Sequence, residues 1–311
     1  RCVIGGVMQH IEDAGIHSGD SACVLPPYLI GEREVDEMRR HTKALAAALG
    51  VVGLINVQYA IKDGVVYCLE VNPRGSRTVP FVSKATGVPL ARLAAGVMVG
   101  RSLVELGFTE EVEMSYVAVK EAVFPFTKLP GVDTLLGPEM RSTGEVMGIA
   151  DSFGWAFAKA QIGADAALPL EGAILVTVND TDKPTVAPIV RRFHELGFRL
   201  FATDGTARYL QKRGIPCGRV LKVWEGRPNG VDLIVSGQVQ LLINTPLGKY
   251  SQRDDYELRR AALMHRVAYT TTMSAASAAC DAVIALRSTK GEVRSLQERH
   301  GRMAPETAEV R

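Results

Sequence analysis

The sequence is short of cysteine, of aromatics, of net charge and of long apolar runs, and each shortage excludes something. Only 5 of 311 residues are Cys. Cys2, Cys23, Cys68, Cys217 and Cys280 are scattered, odd in number and never spaced C-x-x-C. That pattern argues against a disulfide framework and against a zinc site. A reducing compartment, the cytoplasm, is the simplest expectation. No apolar stretch nears the roughly 18 residues of a membrane span, so no membrane contact is expected. The 36 Lys plus Arg nearly cancel the 34 Asp plus Glu, leaving +2, so no broad nucleic-acid footprint is expected either. No internal repeat, low-complexity tract or signal-peptide pattern is visible. The chain opens on Arg1, with no turn or cap before RCVIGGVMQHI. The expectation is a sequence that starts inside a domain.

What remains is ordinary globular material. An apolar fraction of 47% rules out a largely disordered chain. At about 150 residues per domain, the length suggests two domains. Residues 3–11 and 22–25 read as strands, 32–49 as a helix, 53–73 as a hairpin, 88–104 as a helix and 115–123 as a strand. A Gly- and Pro-containing stretch at 129–148 leads to a helix at 151–162. The small residues of GADAALPLEG (163–172) read as a linker. Strands and helices then alternate: strand 174–178, helix 183–196, strand FRLFA, helix 206–213, strand GRVLKV, a short helix at 230–236, strand VQLLIN, and helices at 253–265 and 272–286. Alternation of this kind indicates a mostly parallel sheet. Asp182 is placed to cap the helix at 183, with Pro184 in its first turn. The charged tail from 288 reads as frayed.

The segment GLINVQYAIKDGVVYCLEVNPRGSRT (53–78) is the most informative. Odd positions Val57, Tyr59, Ile61, Tyr67, Leu69 and Val71 are apolar, whereas Asn56, Gln58, Lys62, Glu70 and Asn72 are polar. Alternation puts the two sets on opposite faces. A two-residue turn at Asp63-Gly64 would place Gln58 opposite Leu69. A three-residue loop with Gly64 in a bulge restores the match, so the bulged turn is expected. A carboxylate beside two carboxamides suits a hard cation such as Mg²⁺, and Arg74 and Arg77 follow to receive phosphate. A solvated polar face on an edge hairpin is the alternative.

At these residues the chain resembles the carbamoyl phosphate synthetase large-subunit family. The run Gln58 … Glu70-Val71-Asn72-Pro73-Arg74 with RTVPFVSK (77–84), HIEDAGIHSGDSA (10–22) and LLGPEMRSTGEVMG (135–148) carries the likeness, which extends over nearly the whole chain. It implies the distal part of an ATP-grasp domain with its connecting segment at 1–165, then an open parallel-sheet, methylglyoxal-synthase-like regulatory domain at 172–288 and a charged tail at 289–311: α/β and α+β together. By the resemblance, Gln58, Glu70 and Asn72 hold Mg²⁺ or Mn²⁺, with Gln58 and Glu70 also counted among the ATP-binding residues. Arg74 faces the transferred phosphate and Arg77 supports it. Gly15, Ile16, His17 and Ser18 lie against ATP. The glycine-rich ATP loop and the adenine contacts are expected before Arg1. The implied partners are a glutaminase small subunit or fused glutaminase domain, the rest of the large subunit, and a nucleotide or phosphorylated effector.

In the second half, FATDGTARYL (201–210) passes from strand to helix and offers Thr203, Gly205 and Thr206 to an anion. Lys183, Lys222, Asn244 and Thr245 sit at helix starts and strand ends, where α/β ligands gather. Alone, T-x-G-T is a weak signal, equally an ordinary strand–helix turn. The resemblance implies that these residues contact an effector's phosphate and ribose. Pro246 and Lys249 depart from the family pattern. His10, Glu12, Asp20, Glu121 and Thr271 match positions lining an ornithine site, where Tyr269 is retained and Thr270 replaces an acidic residue. The alternative is an interdomain polar contact. A methylglyoxal synthase proper is disfavoured, because LLINTPLGKYSQRDD holds no histidine and no strand-end aspartate. Other readings are a non-catalytic nucleotide-binding module and a biotin-carboxylase-like ATP-grasp enzyme.

Overall fold

A computed structural model describes residues 1–129, 131–245, 251–288 and 290–301, the side chains of 251–254 excepted. Pro246 and Lys249 lie outside the described residues. In chain order the elements are β1 (Gln9–His10), β2 (Cys23–Leu25), α1 (Glu32–Ala48), β3 (Asn56–Lys62), β4 (Val65–Asn72), α2 (Thr78–Thr86), α3 (Leu90–Met98), β5 (Val117–Val123), β6 (Gly144–Ala150), α4 (Phe153–Gly163), β7 (Ala173–Val178), α5 (Lys183–Glu195), β8 (Arg199–Thr203), α6 (Asp204–Gln211), β9 (Gly218–Val220), α7 (Gly230–Val235), β10 (Leu241–Thr245), α8 (Ser251–Met264), β11 (Ala268–Thr270), α9 (Met273–Ser288) and α10 (Leu296–Gly301). The chain divides into two compact units, one of 1–9, 23–118 and the segment from Gly291, the other of 10–22 and 119–290.

In the first unit, α1 packs its Val35 and Met38 on Val66 of the β3–β4 hairpin, with Tyr59 alongside. Tyr59 Oη reaches Thr42 Oγ1 at 2.8 Å, which ties the hairpin to the helix at a polar point as well. Residues 3–8 form no strand. Gly5 and Gly6 instead lie against Leu90, Val82 and Leu25, an extended segment packed by side chains. The tail is not frayed where it is described: Arg299 is buried with its guanidinium over the Tyr116 ring, and His300 Nε2 lies 2.9 Å from the Lys84 carbonyl.

The second unit is built on a five-stranded sheet of order β11-β10-β7-β8-β9, parallel at every pairing. Successive β7 residues serve opposite faces. Ile174, Val176 and Val178 join a core with α5, α6 and α9, whereas Leu175 joins one with α7 and α8. Period two along a buried parallel strand produces this three-layer build. The order of strand addition reverses at β7, with β8 and β9 added on one side and β10 and β11 on the other, so the switch point where open α/β sheets bind ligands beyond their strand ends lies between β10 and β7. Asp182 precedes α5, but its carboxylate does not cap the helix. It accepts from Asn179 Nδ2 at 2.6 Å, and Asn179 Oδ1 instead receives the N–H groups of Thr181 and Asp182. No described helix is long and apolar enough to cross a membrane.

Candidate functional site

The hairpin turns differently from the expectation. Lys62 pairs with Val65, so the loop is the two-residue Asp63-Gly64 turn, with φ of 52° and 74°. Two positive φ values are what a tight hairpin turn of primed type requires, and they explain the D-G pair. The irregularity sits further along: Tyr59 pairs with Cys68 and Gln58 with Glu70, leaving Leu69 as the extra residue. Gln58 and Glu70 are therefore direct cross-strand partners, as are Asn56 and Asn72. The bulge also shifts the parity of β4. Val66 is the buried residue, and Tyr67 and Leu69 are about half exposed, not part of the core.

On the polar face, Asn72 Nδ2 donates to Glu70 Oε1 at 2.8 Å, and Arg74 Nη2 donates to Asn72 Oδ1 at 3.4 Å. Arg74 Nη1 also bonds the Gly75 carbonyl, which holds the guanidinium near the strand end. Arg77 stands immediately before α2. No described cluster of three His, Cys, Asp or Glu exists, so a cation here would depend on one carboxylate and amide oxygens.

In the second unit, Gly15 opens a loop at φ 102°. His17 N donates to the Gly137 carbonyl at 2.8 Å, and His17 Nδ1 accepts from Gly19 N at 3.0 Å. Lys120 Nζ holds the Ser18 carbonyl at 3.2 Å. The Asp20 carboxylate accepts from Arg141 N and Ser142 N at 2.8 and 2.9 Å. Asp20 thus braces this loop against the segment that leads to β6.

A cavity of about 750 Å³ opens at the C-terminal ends of β7, β8, β9 and β10. Lys183, Thr203, Thr206, Lys222 and Thr245 all line it, together with Gly205 and Trp224. A Cβ on Gly205 would stand 3.1 Å from Lys183 Nζ, so the absence of a side chain there lets the ammonium close on the start of α6. Lys183 also pairs with Asp180, whose carboxyl is held below its usual range by that bond and by the Lys183 and Lys222 charges. Asn244 is not a lining residue. It is fully buried, its Oδ1 accepting from Arg259 Nη1 at 2.8 Å and its Nδ2 donating to Asp255 Oδ1 at 2.6 Å. Arg259, itself 0% exposed, grips Asp133 through Nε and Nη2 at 3.0 and 2.6 Å.

A second cavity, about 470 Å³, is lined by Glu12, Glu121, Gln161, Tyr269, Thr270 and Thr271, but not by His10 or Asp20. Gln161 Nε2 donates to Glu121 Oε2 at 2.7 Å. Among the described residues, Glu12 Oε2 and Thr270 Oγ1 are buried without a hydrogen-bond partner. Burial, then the Glu121 charge, pushes Glu12 up to about 8; burial lifts Glu121 to about 7 against the pull of Lys120. His10 is driven down to about 4 by burial and by Lys120. Sequence reasoning missed Arg259, Asp133, Gln161 and Trp224. The one available signal was Asp255 and Arg259 four residues apart, in line with the apolar Leu258 and Ala262 of α8.

Comparison with known proteins adds independent evidence. The family model described as "Carbamoyl-phosphate synthase L chain, ATP binding domain" matches residues 1–106, and "MGS-like domain" matches 185–271. A carbamoyl phosphate synthase large chain from Gemmatimonas aurantiaca is 61% identical over 96% of this chain and 27% of its own length. Those from Archaeoglobus fulgidus and Pasteurella multocida are 56% and 54% identical over 96% and 97% of this chain, and 28% of theirs. The chain thus spans little more than a quarter of these relatives. A solved methylglyoxal synthase from Elizabethkingia anophelis NUHP1 matches at a TM-score of 0.31 and 18% identity, over 45% of this chain and 97% of that one, and carries no weight below. The ATP-binding-domain model thus matches one end of the chain, the MGS-like model the other, and carbamoyl phosphate synthase large chains are similar to it across nearly its whole length.

Proposed function

We propose that this chain forms part of an enzyme that phosphorylates carbamate with ATP, the carbamate built from bicarbonate and glutamine-derived ammonia. A glutaminase subunit or domain and the rest of the large chain complete it, and the MGS-like domain receives a regulatory ligand. The observation that carries the reading is the Gln58–Glu70 pair with Asn72, set in a segment that matches the ATP-binding domain. One carboxylate and two carboxamide oxygens are hard donors, which fits Mg²⁺ or Mn²⁺ bound jointly with substrate phosphates. Gln58, Glu70 and Asn72 would hold that ion, whose chemistry is to neutralise phosphate charge. Arg74, steadied by Asn72 and Gly75, offers a fixed cation to the phosphoryl group, and Arg77 reinforces it. Gly15, Ile16, His17 and Ser18 supply a loop for ATP, stiffened by Lys120 and Asp20.

For the sensor, Lys183, Lys222, Thr203, Thr206 and Thr245 favour a phosphorylated effector, with Asn244 acting from behind through Asp255. Calorimetric titration of the chain with nucleoside 5′-monophosphates tests this. Thr206→Ala and Lys222→Ala are each expected to weaken binding by roughly tenfold, the size of one charge-assisted contact. Wild-type affinity should fall as salt rises. Equal affinity in both variants would place the phosphate elsewhere.

The smaller cavity suits an amine such as ornithine. Its ammonium would meet Glu12 and Glu121, with Tyr269 and Thr271 beside it. The sign of the pH effect follows. Carboxyls whose folded pKa is raised contribute their stability fully below about 4, and that contribution is lost as pH climbs to about 8. A bound ammonium favours the ionised forms, so binding at pH 7 should release protons. Titrations in buffers of different ionisation enthalpy are expected to show that release, fading above pH 9. Buffer-independent heats would remove Glu12 and Glu121 from the site.

A further inference from the structure

Helix α2 ends on carbonyl groups that its own turns cannot satisfy, as every α-helix does. Gly87, in the left-handed conformation at φ 78°, supplies the N–H for the Ser83 carbonyl. The next two carbonyls are met from elsewhere in the chain. Tyr116 Oη donates to the Ala85 carbonyl at 2.5 Å, and His300 Nε2 lies 2.9 Å from that of Lys84. A carbonyl can only accept, so Nε2 carries the imidazole proton. Gly87 also makes room for this contact: a Cβ there would stand 3.2 Å from the His300 ring. Arg299, next to His300 on α10, lays its guanidinium over the Tyr116 ring, 5.3 Å from the centroid, and both residues are buried. Two donors from distant parts of the sequence thus converge on one helix end.

The other end of α2 begins at Arg77. Phe81, Val82 and Ala85 bury one side of the helix, but apolar contact has no preferred direction and lets so short a helix shift. Hydrogen bonds are directional and fix its tilt and rotation. At about 1.5 Å per residue, about 11 Å of helix separate Arg77 from the anchored carbonyls, and a tilt of about 5° over that length displaces the Arg77 end by about 1 Å. An error of about 1 Å in a group that positions a substrate costs up to about 100-fold in rate. We propose that Tyr116 and His300 are positioning residues for phosphoryl transfer: by capping α2 they set where Arg77 stands, each acting through the helix. The inference rests on the phosphate-binding reading of Arg77 and adds to it the two side chains that hold that arginine in place.

The test is the kcat of carbamoyl phosphate-driven ATP synthesis from ADP in a full-length large chain carrying this segment. Tyr116→Phe deletes one donor and His300→Ala the other, and the double variant is expected to lose roughly tenfold in kcat. KM for ADP should stay within about twofold of wild type, because the loss falls on the transferred phosphate. His300→Gln, whose side-chain amide can still donate, should recover most of the His300→Ala loss. Arg77→Ala alone should lose at least as much as the double variant, since displacing an arginine cannot cost more than removing it. In the Arg77→Ala background, Tyr116→Phe with His300→Ala should add less than about twofold, because the group they position is gone. A merely structural cap would cost the same in both backgrounds. A double variant within about twofold of wild type, or an undiminished loss in the Arg77→Ala background, overturns the positioning role and leaves Arg77 standing. Arg77→Ala within about twofold of wild type removes Arg77 from the site and takes the positioning role with it. Where the double variant fails to fold, the two single variants carry the same comparison.

Discussion

Glu70→Ala, made in a full-length large chain carrying this segment, is expected to lower carbamoyl phosphate-driven ATP synthesis from ADP by roughly 100- to 1000-fold, the effect of losing one preorganised electrostatic group. Glu70 is the sole carboxylate among the three donors proposed for the ion, and its geometry is set twice. The cross-strand register places it opposite Gln58, and Asn72 Nδ2 holds Oε1 at 2.8 Å. Without it, two neutral carboxamides would have to hold a divalent cation, and the phosphates would lose the charge that aligns them. Glu70→Gln should fail nearly as badly, since it keeps the shape and removes the charge. Glu70→Asp should retain partial activity at raised Mn²⁺. The side chain is exposed and packs in no core, so the melting temperature should not move. Activity within tenfold of wild type in the alanine variant would remove Glu70 from the ligand set.

Arg259→Met carries the largest expected loss of stability, about 3 kcal/mol. Breaking a buried ion pair typically costs 3–5 kcal/mol because the remaining charge is stranded. The lower end applies because Asp133 keeps 32% of its side chain exposed while Arg259 keeps 1%. Burial opposes the Asp133 charge, but the bonds from Arg259 and Leu135 outweigh it and hold its carboxyl below the ordinary range. For a depressed acid, the stability is present above its unfolded pKa and lost as pH falls through the folded one. The Arg259→Met deficit should therefore shrink in acid. Urea unfolding followed by far-UV circular dichroism measures both points. Arg259→Met combined with Asp133→Leu should regain much of the loss, since apolar replacement of a whole buried pair is often near neutral. A deficit under 1 kcal/mol for the single variant at neutral pH would mean the pair is not structural.

These two sites were unequally legible. The hairpin's polar residues stood out because alternation marks a face, and D-G marked the turn. The place of the bulge did not. Nothing local distinguishes a bulge at Gly64 from one at Leu69, since both put Gln58 opposite Glu70, and packing of Val66 on α1 decides between them. The alternating strands and helices after residue 172 were readable from period alone, although the three-residue β11 was too short to register. β6 was hidden by the Gly and Pro residues before it, and α10 by its charges. Arg259 was invisible for a different reason. In SQRDDYELRRAALM it resembles any solvated arginine, and its partner lies 126 residues away. Asn244 misled in the opposite direction: its strand-end position suggested a ligand contact, yet Arg259 and Asp255 consume its carboxamide.

The extra residue at Leu69 also has a meaning for how the hairpin can change length. It gives the ribbon one residue of slack between the turn and the donors. A single deletion between Val65 and Cys68 can be absorbed by straightening the bulge, so the pairs near the turn are reshuffled while Gln58 still faces Glu70. The same loss between Glu70 and Asn72 has no such reserve and moves Asn72 away from Asn56. The hairpin therefore has a tolerant end and an intolerant end, divided at a leucine that itself takes no part in the pairing.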